Sequence, residues 1–148
     1  MAFSHLFLLN SLLFLLNFSV PGGAFRLQGV GVKGTLLCNG AFSVHTNAAI
    51  FDVDRNPGDA DDLLDKGHSD RKGRFVLEGT TRELTNIEPE LRILHDCADG
   101  IKPCHRLLVI KVPSEYINSG KVHKIFDIGT VDLAEKRQDE QRVCQNDF

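Results

Sequence analysis

The chain has no Trp, and it has only one Tyr and one Met. Its main aromatic residue is Phe, which occurs ten times, and this aromatic content suits a small β core. Only one long apolar run occurs, at the start of the chain. The formal net charge is only −3, which favours no nucleic-acid partner. The Gly-x-Ser-x-Gly nucleophile motif is also missing. These absences argue against a multispan membrane protein, a nucleic-acid binder and a serine hydrolase.

The apolar run, Leu6–Val20, has 15 residues, which matches a signal-peptide core and is short of the ~20 residues of a membrane span. Pro21 and Gly22 follow and break a helix, and Gly23 and Ala24 are the small residues that a signal peptidase requires. We therefore predict a signal peptide over residues 1–24, cleaved after Ala24 or, alternatively, after Gly23. The mature chain, residues 25–148, is then one secreted, soluble domain.

The mature chain consists of short apolar segments separated by turn signals such as Asn39-Gly40. This pattern predicts an all-β sandwich of about seven strands. A single helical turn is predicted at Pro113–Tyr116, with Ser114 as its cap, and Ala134–Val143 is predicted as a helix or a loose tail. The predicted strands are Val30–Leu37, Phe42–Val53, Leu63–Ser69, Phe75–Gly79, Leu91–Cys97, Leu107–Val112 and Ile125–Leu133.

Several motifs follow one another in a fixed order. They are GVKGTLLCNG at 31–40, FDVD at 51–54, DDLLD at 61–65, SDRKGRF at 69–75, LRILHDC at 91–97, KPC at 102–104 and FDIGTVDL at 126–133. The HDC and FDIGT segments are the specific ones. Together the motifs closely resemble the nematode transthyretin-like family of small secreted proteins, over nearly all of the mature chain.

The resemblance implies a prealbumin-like β-sandwich that acts outside the cell as a binding or bridging protein. Its ligand would be a lipid head group such as phosphatidylserine, or a cell-surface receptor. The alternative is a carrier for a small hydrophobic ligand. A hydrolase is disfavoured, because the Tyr-Arg-Gly-Ser ending of the hydrolase branch is missing. The chain also departs from the family at Ala41–Phe51, where the strand is less regular and Phe51 stands in place of a Trp.

Four cysteines, all behind the leader, indicate two disulfides in an oxidising compartment. We favour Cys97–Cys104, which would close a hairpin, with Cys38–Cys144, which would tether the tail. The crossed pairing of Cys38 with Cys104 and Cys97 with Cys144 stays open. A zinc site of these cysteines with His95 and His105 is disfavoured, because the adjacent Cys104 and His105 would point to opposite faces of a strand.

Two kinds of charged surface remain as candidate binding sites. The acidic stretch from Asp52 to Asp65 resembles the start of a calcium loop, but Pro57 and Leu63 stand where that loop requires Gly and Glu, so a solvated loop is favoured. We therefore expect no metal, no cofactor and no catalytic residue. The basic residues that could contact an anionic surface are Arg71, Lys72, Arg74, Lys121 and Lys124.

Overall fold

The computed structural model describes residues 23–55, 57–138, 140–144 and 148, and it shows an all-β sandwich of two five-stranded sheets. All but the last two residues of the predicted signal peptide therefore lie outside the described residues. The strands are β1 (Arg26–Cys38), β2 (Ala41–Phe42), β3 (Asn47–Asp52), β4 (Asp62–His68), β5 (Arg74–Glu83), β6 (Pro89–His95), β7 (His105–Lys111), β8 (Asn118–Ser119), β9 (Ile125–Asp132) and β10 (Gln141–Val143).

Sheet A is built around β1, which is long enough to pair along both of its edges. Strands β5 and β2 lie antiparallel along one edge, while β8 runs antiparallel and β9 parallel along the other. Val30, Val32 and Leu36 of β1 are completely buried. Their even spacing sends them to one face, as the period of two in a strand requires.

Sheet B has the order β10-β7-β6-β3-β4, and every neighbouring pair in it is antiparallel. Its inner face contributes Ile50, Leu91, Ile93 and Leu108, which are at most 3% exposed. These side chains pack against those of β1 and β5 in one continuous core. Burial of a side chain of this size contributes about 1.5–3 kcal/mol, so this layer supplies most of the driving force for folding.

The structure confirms the sandwich but differs from the sequence pattern in several elements. The predicted Phe42–Val53 strand is two strands, because residues 43–46 leave the sheet and His45 adopts a left-handed φ of 56°. The helical turn is confirmed as a 3-10 helix, Ser114–Tyr116, but its cap is Pro113 and no side chain caps it. The tail is not helical, since it ends in β10.

All four cysteines form disulfides, but both predicted pairings are wrong. The bonds join Cys38 to Cys97 and Cys104 to Cys144. Cys38 ends β1 in sheet A and Cys97 follows β6 in sheet B, so the first bond ties the two sheets together. The second bond continues the β7–β10 pairing, which places Val143 opposite His105. Because the charged segment Ala134–Val143 predicts a helix or a loose tail and not a strand, the sequence pattern does not indicate this partner of Cys104.

Candidate functional site: the disulfide end

One end of the sandwich carries the Cys38–Cys97 bond, and we call it the disulfide end. The loops that meet there are 39–40, 43–46, 69–73, 96–104 and 133–140. The register of β1 places these loops, because Leu37 pairs with Phe42 on one side and with Asp132 on the other. The opposite end of the sandwich carries loops 53–61, 84–88 and 120–124.

Ser69 holds two of these loops in a fixed relation. Its hydroxyl donates to the carbonyl oxygen of Ser43 at 2.6 Å and accepts the N–H of Thr46 at 2.9 Å. Its own N–H donates to the carbonyl oxygen of Thr46, and the side chain is only 2% exposed. A buried hydroxyl with this many partners stabilises one loop geometry. Loop 43–46 and turn 69–73 are therefore presented as a single surface.

The first predicted basic cluster, Arg71, Lys72 and Arg74, lies on this surface. Arg74 donates to the Asp70 carboxylate from two nitrogens, at 2.9 and 3.0 Å. The N–H group of Arg74 and its guanidinium hold the pKa of Asp70 below its usual value. Arg71 and Lys72 are exposed, and no carboxylate among the described residues forms an ion pair with either. The positive charge of this turn that has no ion-pair partner therefore comes from Arg71 and Lys72.

The second predicted basic cluster, Lys121 and Lys124, lies at the opposite end of the sandwich. The N–H of Gly120 donates a hydrogen bond to the carbonyl oxygen of Leu27. At the other end, the N–H of Leu36 donates to the carbonyl oxygen of Gly73 in turn 69–73. Nine residues of β1 separate these two points, or ~30 Å at the rise of an extended strand. Lys124 also lies over the ring of Tyr116, at 4.6 Å. The structure does not bring the two clusters together, so one flat surface cannot contact both.

Exposed apolar side chains accompany the first cluster. Phe42 is 56% exposed, Val44 is 44% exposed, and Ile101 in loop 96–104 is completely exposed. Phe25 and Leu84 are also exposed, but they lie at the opposite end. At the disulfide end, large apolar side chains and unpaired basic ones thus occupy neighbouring loops, and Lys102 directly follows Ile101.

The carboxylates of the disulfide end are mostly engaged within the protein. Asp132 accepts the N–H groups of Asn39, Gly40 and Ala134, which holds its pKa below the usual value. Asp99 pairs with Arg142 at 2.5 Å, and Asp96 contacts His105 at 2.6 Å. The exposed Glu135 is followed directly by the exposed Lys136 and Arg137. Among the described residues of this end, the charges without an ion-pair partner are therefore mainly positive, although the whole chain is acidic.

Beneath these loops, a buried ionic cluster closes the core. Arg106 donates to both carboxylate oxygens of Glu140 at 2.9 Å and to the carbonyl oxygens of Cys97, Leu133 and Glu135. Its side chain is 5% exposed, and that of Glu140 is 11% exposed. These bonds fix the segment that crosses from sheet A to sheet B, so Arg106 has a structural role.

His95 completes this buried cluster. Its Nδ1 accepts the N–H of Cys97 at 3.2 Å, and its Nε2 lies 3.4 Å from Glu140. Burial, and then the charge of Arg106, lower the pKa of His95, while Glu140 opposes the shift. Because Nδ1 acts as an acceptor, the proton of the neutral ring lies on Nε2, facing Glu140.

The acidic stretch lies away from the disulfide end. Asp52 pairs across β3 and β4 with Asp62 at the opposite end, and its carboxylate accepts the N–H of Glu88. Asp61 binds Arg92, while Asp65 accepts the N–H of Glu78. Within the described ranges, which omit Asn56, no three His, Cys, Asp or Glu residues are grouped to hold a metal ion. The acidic loop 53–61 thus lies at the end of the sandwich opposite to Arg71 and Lys72.

Comparisons with known proteins agree with the motifs. The model of the transthyretin-like family matches residues 33–113. Transthyretin-like protein 5 of Caenorhabditis elegans is 46% identical over 118 residues, which cover 79% of this chain and 84% of that protein. Transthyretin-like protein 33 of the same nematode is 39% identical over 127 residues, which cover 85% and 88% of the two chains.

Transthyretin-like protein 2, also of Caenorhabditis elegans, is 40% identical over 126 residues, which cover 82% of this chain and 85% of that protein. Among solved structures, a 9R-lipoxygenase from Cyanothece aligns at 21% identity and a TM-score of 0.40, over 72% of this chain and 16% of that one, a similarity too low to interpret. The family match and these three relatives show that the chain belongs to the transthyretin-like family.

Proposed function

We propose that this protein is a secreted binding protein that docks its disulfide end onto an anionic lipid surface, such as one that displays phosphatidylserine. The observation that carries the proposal is the pairing of exposed Phe42, Val44 and Ile101 with the unpaired cations Arg71, Lys72 and Lys102. Two disulfides support an oxidising, extracellular location. In the described part of the chain, no helix is long and apolar enough to span a bilayer.

The energetics favour this end over the other. A basic residue near an anionic membrane contributes ~1 kcal/mol, so Arg71, Lys72 and Lys102 together contribute ~3 kcal/mol. Insertion of the Ile101 side chain into the interface adds the apolar contribution of a residue that is completely exposed in solution. At the opposite end, repulsion of the acidic loop that includes Asp54 and Asp59 offsets the attraction of Lys121 and Lys124 to the same surface. The molecule therefore approaches the membrane with its disulfide end first.

Vesicle flotation tests the proposal. The parent protein should float with vesicles that contain phosphatidylserine and not with pure phosphatidylcholine vesicles. The double variant Arg71→Gln/Lys72→Gln should bind about 30-fold more weakly, because it loses ~2 kcal/mol of attraction. The matched variant Lys121→Gln/Lys124→Gln removes the same charge from the opposite end and should bind like the parent. Equal loss in both variants, or no flotation of the parent, would contradict the proposal and favour a protein receptor as the ligand.

A further inference from the structure

Paired basic residues occur twice in the chain, as Arg71-Lys72 in turn 69–73 and as Lys136-Arg137 between β9 and β10. All four residues are exposed. Endoproteases with acidic specificity pockets recognise such pairs, but the backbone must also leave the fold locally to enter the active site. The local structure around each pair therefore decides which of the two can be cleaved.

Hydrogen bonds hold the pair Arg71-Lys72 in a tight turn. The Asp70 carboxylate accepts the N–H groups of Lys72 and Arg74, at 2.8 and 2.9 Å. The Asp70 carbonyl oxygen accepts the N–H of Gly73, and the N–H of Asp70 donates to the carbonyl oxygen of Arg74. Extension of the backbone at this pair would break these bonds together, so we expect the turn to resist cleavage.

The pair Lys136-Arg137 lies in an open segment. Neither residue belongs to a strand or helix, and Gln138, which follows them, is also exposed. In the part of the chain that the structure describes, a single backbone hydrogen bond reaches the pair, from the N–H of Glu140 to the carbonyl oxygen of Arg137 at 3.3 Å. No described carboxylate forms an ion pair with either side chain. Exposed segments with few internal bonds are the preferred sites of proteolytic cleavage.

One buried side chain holds both sides of this segment. Arg106 donates to the carbonyl oxygens of Leu133 and Glu135, which precede the pair. It also donates to both carboxylate oxygens of Glu140, which follows the pair. A cut directly after the pair lies between these anchors, so both new chain ends stay attached to the buried cluster. The folded core therefore survives the cut.

The Cys104–Cys144 disulfide also joins the two products. Cys104 lies before the cut and directly precedes β7, whereas Cys144 lies after the cut and directly follows β10. Arg142 of β10 adds an ion pair with Asp99, which lies before the cut. The segment after the cut can therefore leave the protein only when this disulfide is reduced as well.

We propose that Lys136-Arg137 is a processing site, at which an endoprotease specific for paired basic residues converts the protein into two disulfide-linked chains. Water is the co-reactant. The peptide bond between Arg137 and Gln138 breaks, Arg137 receives the new carboxylate, and Gln138 receives the new amino group. This inference is independent of the proposed membrane docking, which uses other residues of the disulfide end.

Limited proteolysis of the folded protein with intact disulfides tests the site. A kexin-class protease, which cleaves after Lys-Arg, should cut the parent once, after Arg137. Under denaturing conditions without reduction, the product should stay one species and gain the mass of one water molecule, and reduction should split it into two chains. Arg137→Gln should abolish the cut, whereas Lys121→Gln, at the opposite end, should be cut at the parent rate. An uncut parent, or two chains that separate without reduction, would overturn the proposal.

The other basic pair supplies the matched control for local structure. The variant Arg71→Lys/Lys72→Arg places the same Lys-Arg order in the hydrogen-bonded turn and keeps the charge. Cleavage of this variant after Arg137 should be at least tenfold faster than cleavage in the turn. Equal rates at the two positions would mean that the dipeptide alone directs the protease, and would overturn the argument from local structure.

Protein collected from its native secreted fluid shows whether the site is used. After reduction, mass spectrometry should find a chain that begins with Gln138. An intact bond between Arg137 and Gln138 in all of the secreted protein would overturn processing at this site, even if the purified protease cuts there.

Discussion

At the scale of single residues, two charged side chains with similar chemistry have very different consequences. Arg106 lies in the closed end of the core with a side chain 5% exposed, whereas Arg55 forms an ion pair with Glu88 and has a side chain 66% exposed. A buried charge that loses its partner stays uncompensated in a medium of low polarity, while an exposed charge is solvated by water. Sequence alone does not distinguish the two arginines.

Truncation of Arg106 should therefore be severe. Arg106→Ala leaves the Glu140 carboxylate buried without its partner and frees three carbonyl oxygens, so we expect a loss of about 3–5 kcal/mol in the free energy of unfolding. Urea denaturation measures this change. Arg55→Ala is the matched control and should change the midpoint much less. Similar midpoints for the two variants would refute the structural role of the buried cluster.

His95 should make stability depend on pH. Its pKa is lowered in the folded state by burial and by Arg106 of β7, against the opposing effects of Glu140 and Asp96. The unfolded chain then binds more protons than the folded one near the ordinary His pKa of about 6.5. The contribution of His95 is therefore present above pH ~6.5 and is lost as the pH falls through the lower, folded-state pKa.

Chemical denaturation between pH 5 and 8 measures this dependence. The free energy of unfolding of the parent should fall as the pH decreases from 7 to 5. In the His95→Gln variant the slope over this range should be smaller, because the side chain no longer titrates. An unchanged slope in the variant would mean that other groups cause the pH dependence.

At the scale of elements, the turn between β4 and β5 shows a close approach of two backbones. Gly73 has a φ of +69°, and a Cβ built on it would lie far inside the van der Waals distance of the Leu36 carbonyl oxygen. Gly40, in the turn after β1, has a similar φ of +79°, but no heavy atom lies within 4 Å of its Cβ position. A residue with a Cβ would have the conformational cost of the left-handed region at both positions. Only at position 73 would its Cβ also collide with a neighbouring backbone atom.

The two glycines therefore form a matched pair. Gly40→Ala should cost ~1–2 kcal/mol, the ordinary cost of a left-handed residue with a side chain. Gly73→Ala should cost more, because the backbone of β1 must shift to relieve the collision with Leu36. Thermal unfolding of both variants compares them directly. A smaller effect at Gly73 than at Gly40 would show that the turn adjusts without disturbing β1.

The elements also show what the sequence could predict. Strands with regular alternation, such as β5 and β6, were identified because their buried residues recur at every second position. The short strands β8 and β10 carry no pattern that predicts them, and β2 is not distinguished from β3, since two or three residues have no periodicity and pair only because β1 and β7 offer free edges. The sequence predicts the basic residues of turn 69–73 as candidate contacts, but it does not indicate Phe42, Val44, Ile101 and Lys102, because only the folded chain brings their loops to one end.

At the scale of the whole molecule, the two disulfides act on different parts of the sandwich. Cys38–Cys97 spans 59 residues and joins the sheets, while Cys104–Cys144 spans 40 residues and holds β10 at the edge of sheet B. The chain-entropy model assigns each bond a stabilisation of about 4 kcal/mol. Any functional difference between the two bonds must therefore come from the segments that each one holds in place.

Removal of each bond should therefore have a distinct outcome. Cys38→Ser/Cys97→Ser should lower the free energy of unfolding by about 4 kcal/mol and weaken vesicle binding, because the loops of the disulfide end lose their common anchor. Cys104→Ser/Cys144→Ser should lower stability by a similar amount but weaken vesicle binding less, because Arg142 still holds loop 96–104 through Asp99, Pro103 and Cys104. Denaturation and flotation of the same two variants measure both properties. Equal loss of vesicle binding in the two variants would contradict this division.

The proposed docking through the disulfide end predicts a single orientation on a membrane, and the lack of Trp in the chain makes that orientation easy to measure. Ile101→Trp introduces a single Trp at the disulfide end, at a side chain that is completely exposed, and Val76→Trp introduces one on sheet A, at a side chain that is 60% exposed. With vesicles that contain phosphatidylserine, the emission of Ile101→Trp should shift to the blue and be quenched by brominated lipid, while that of Val76→Trp should not change. A shift at both positions, or at neither while the protein floats with the vesicles, would contradict docking through the disulfide end.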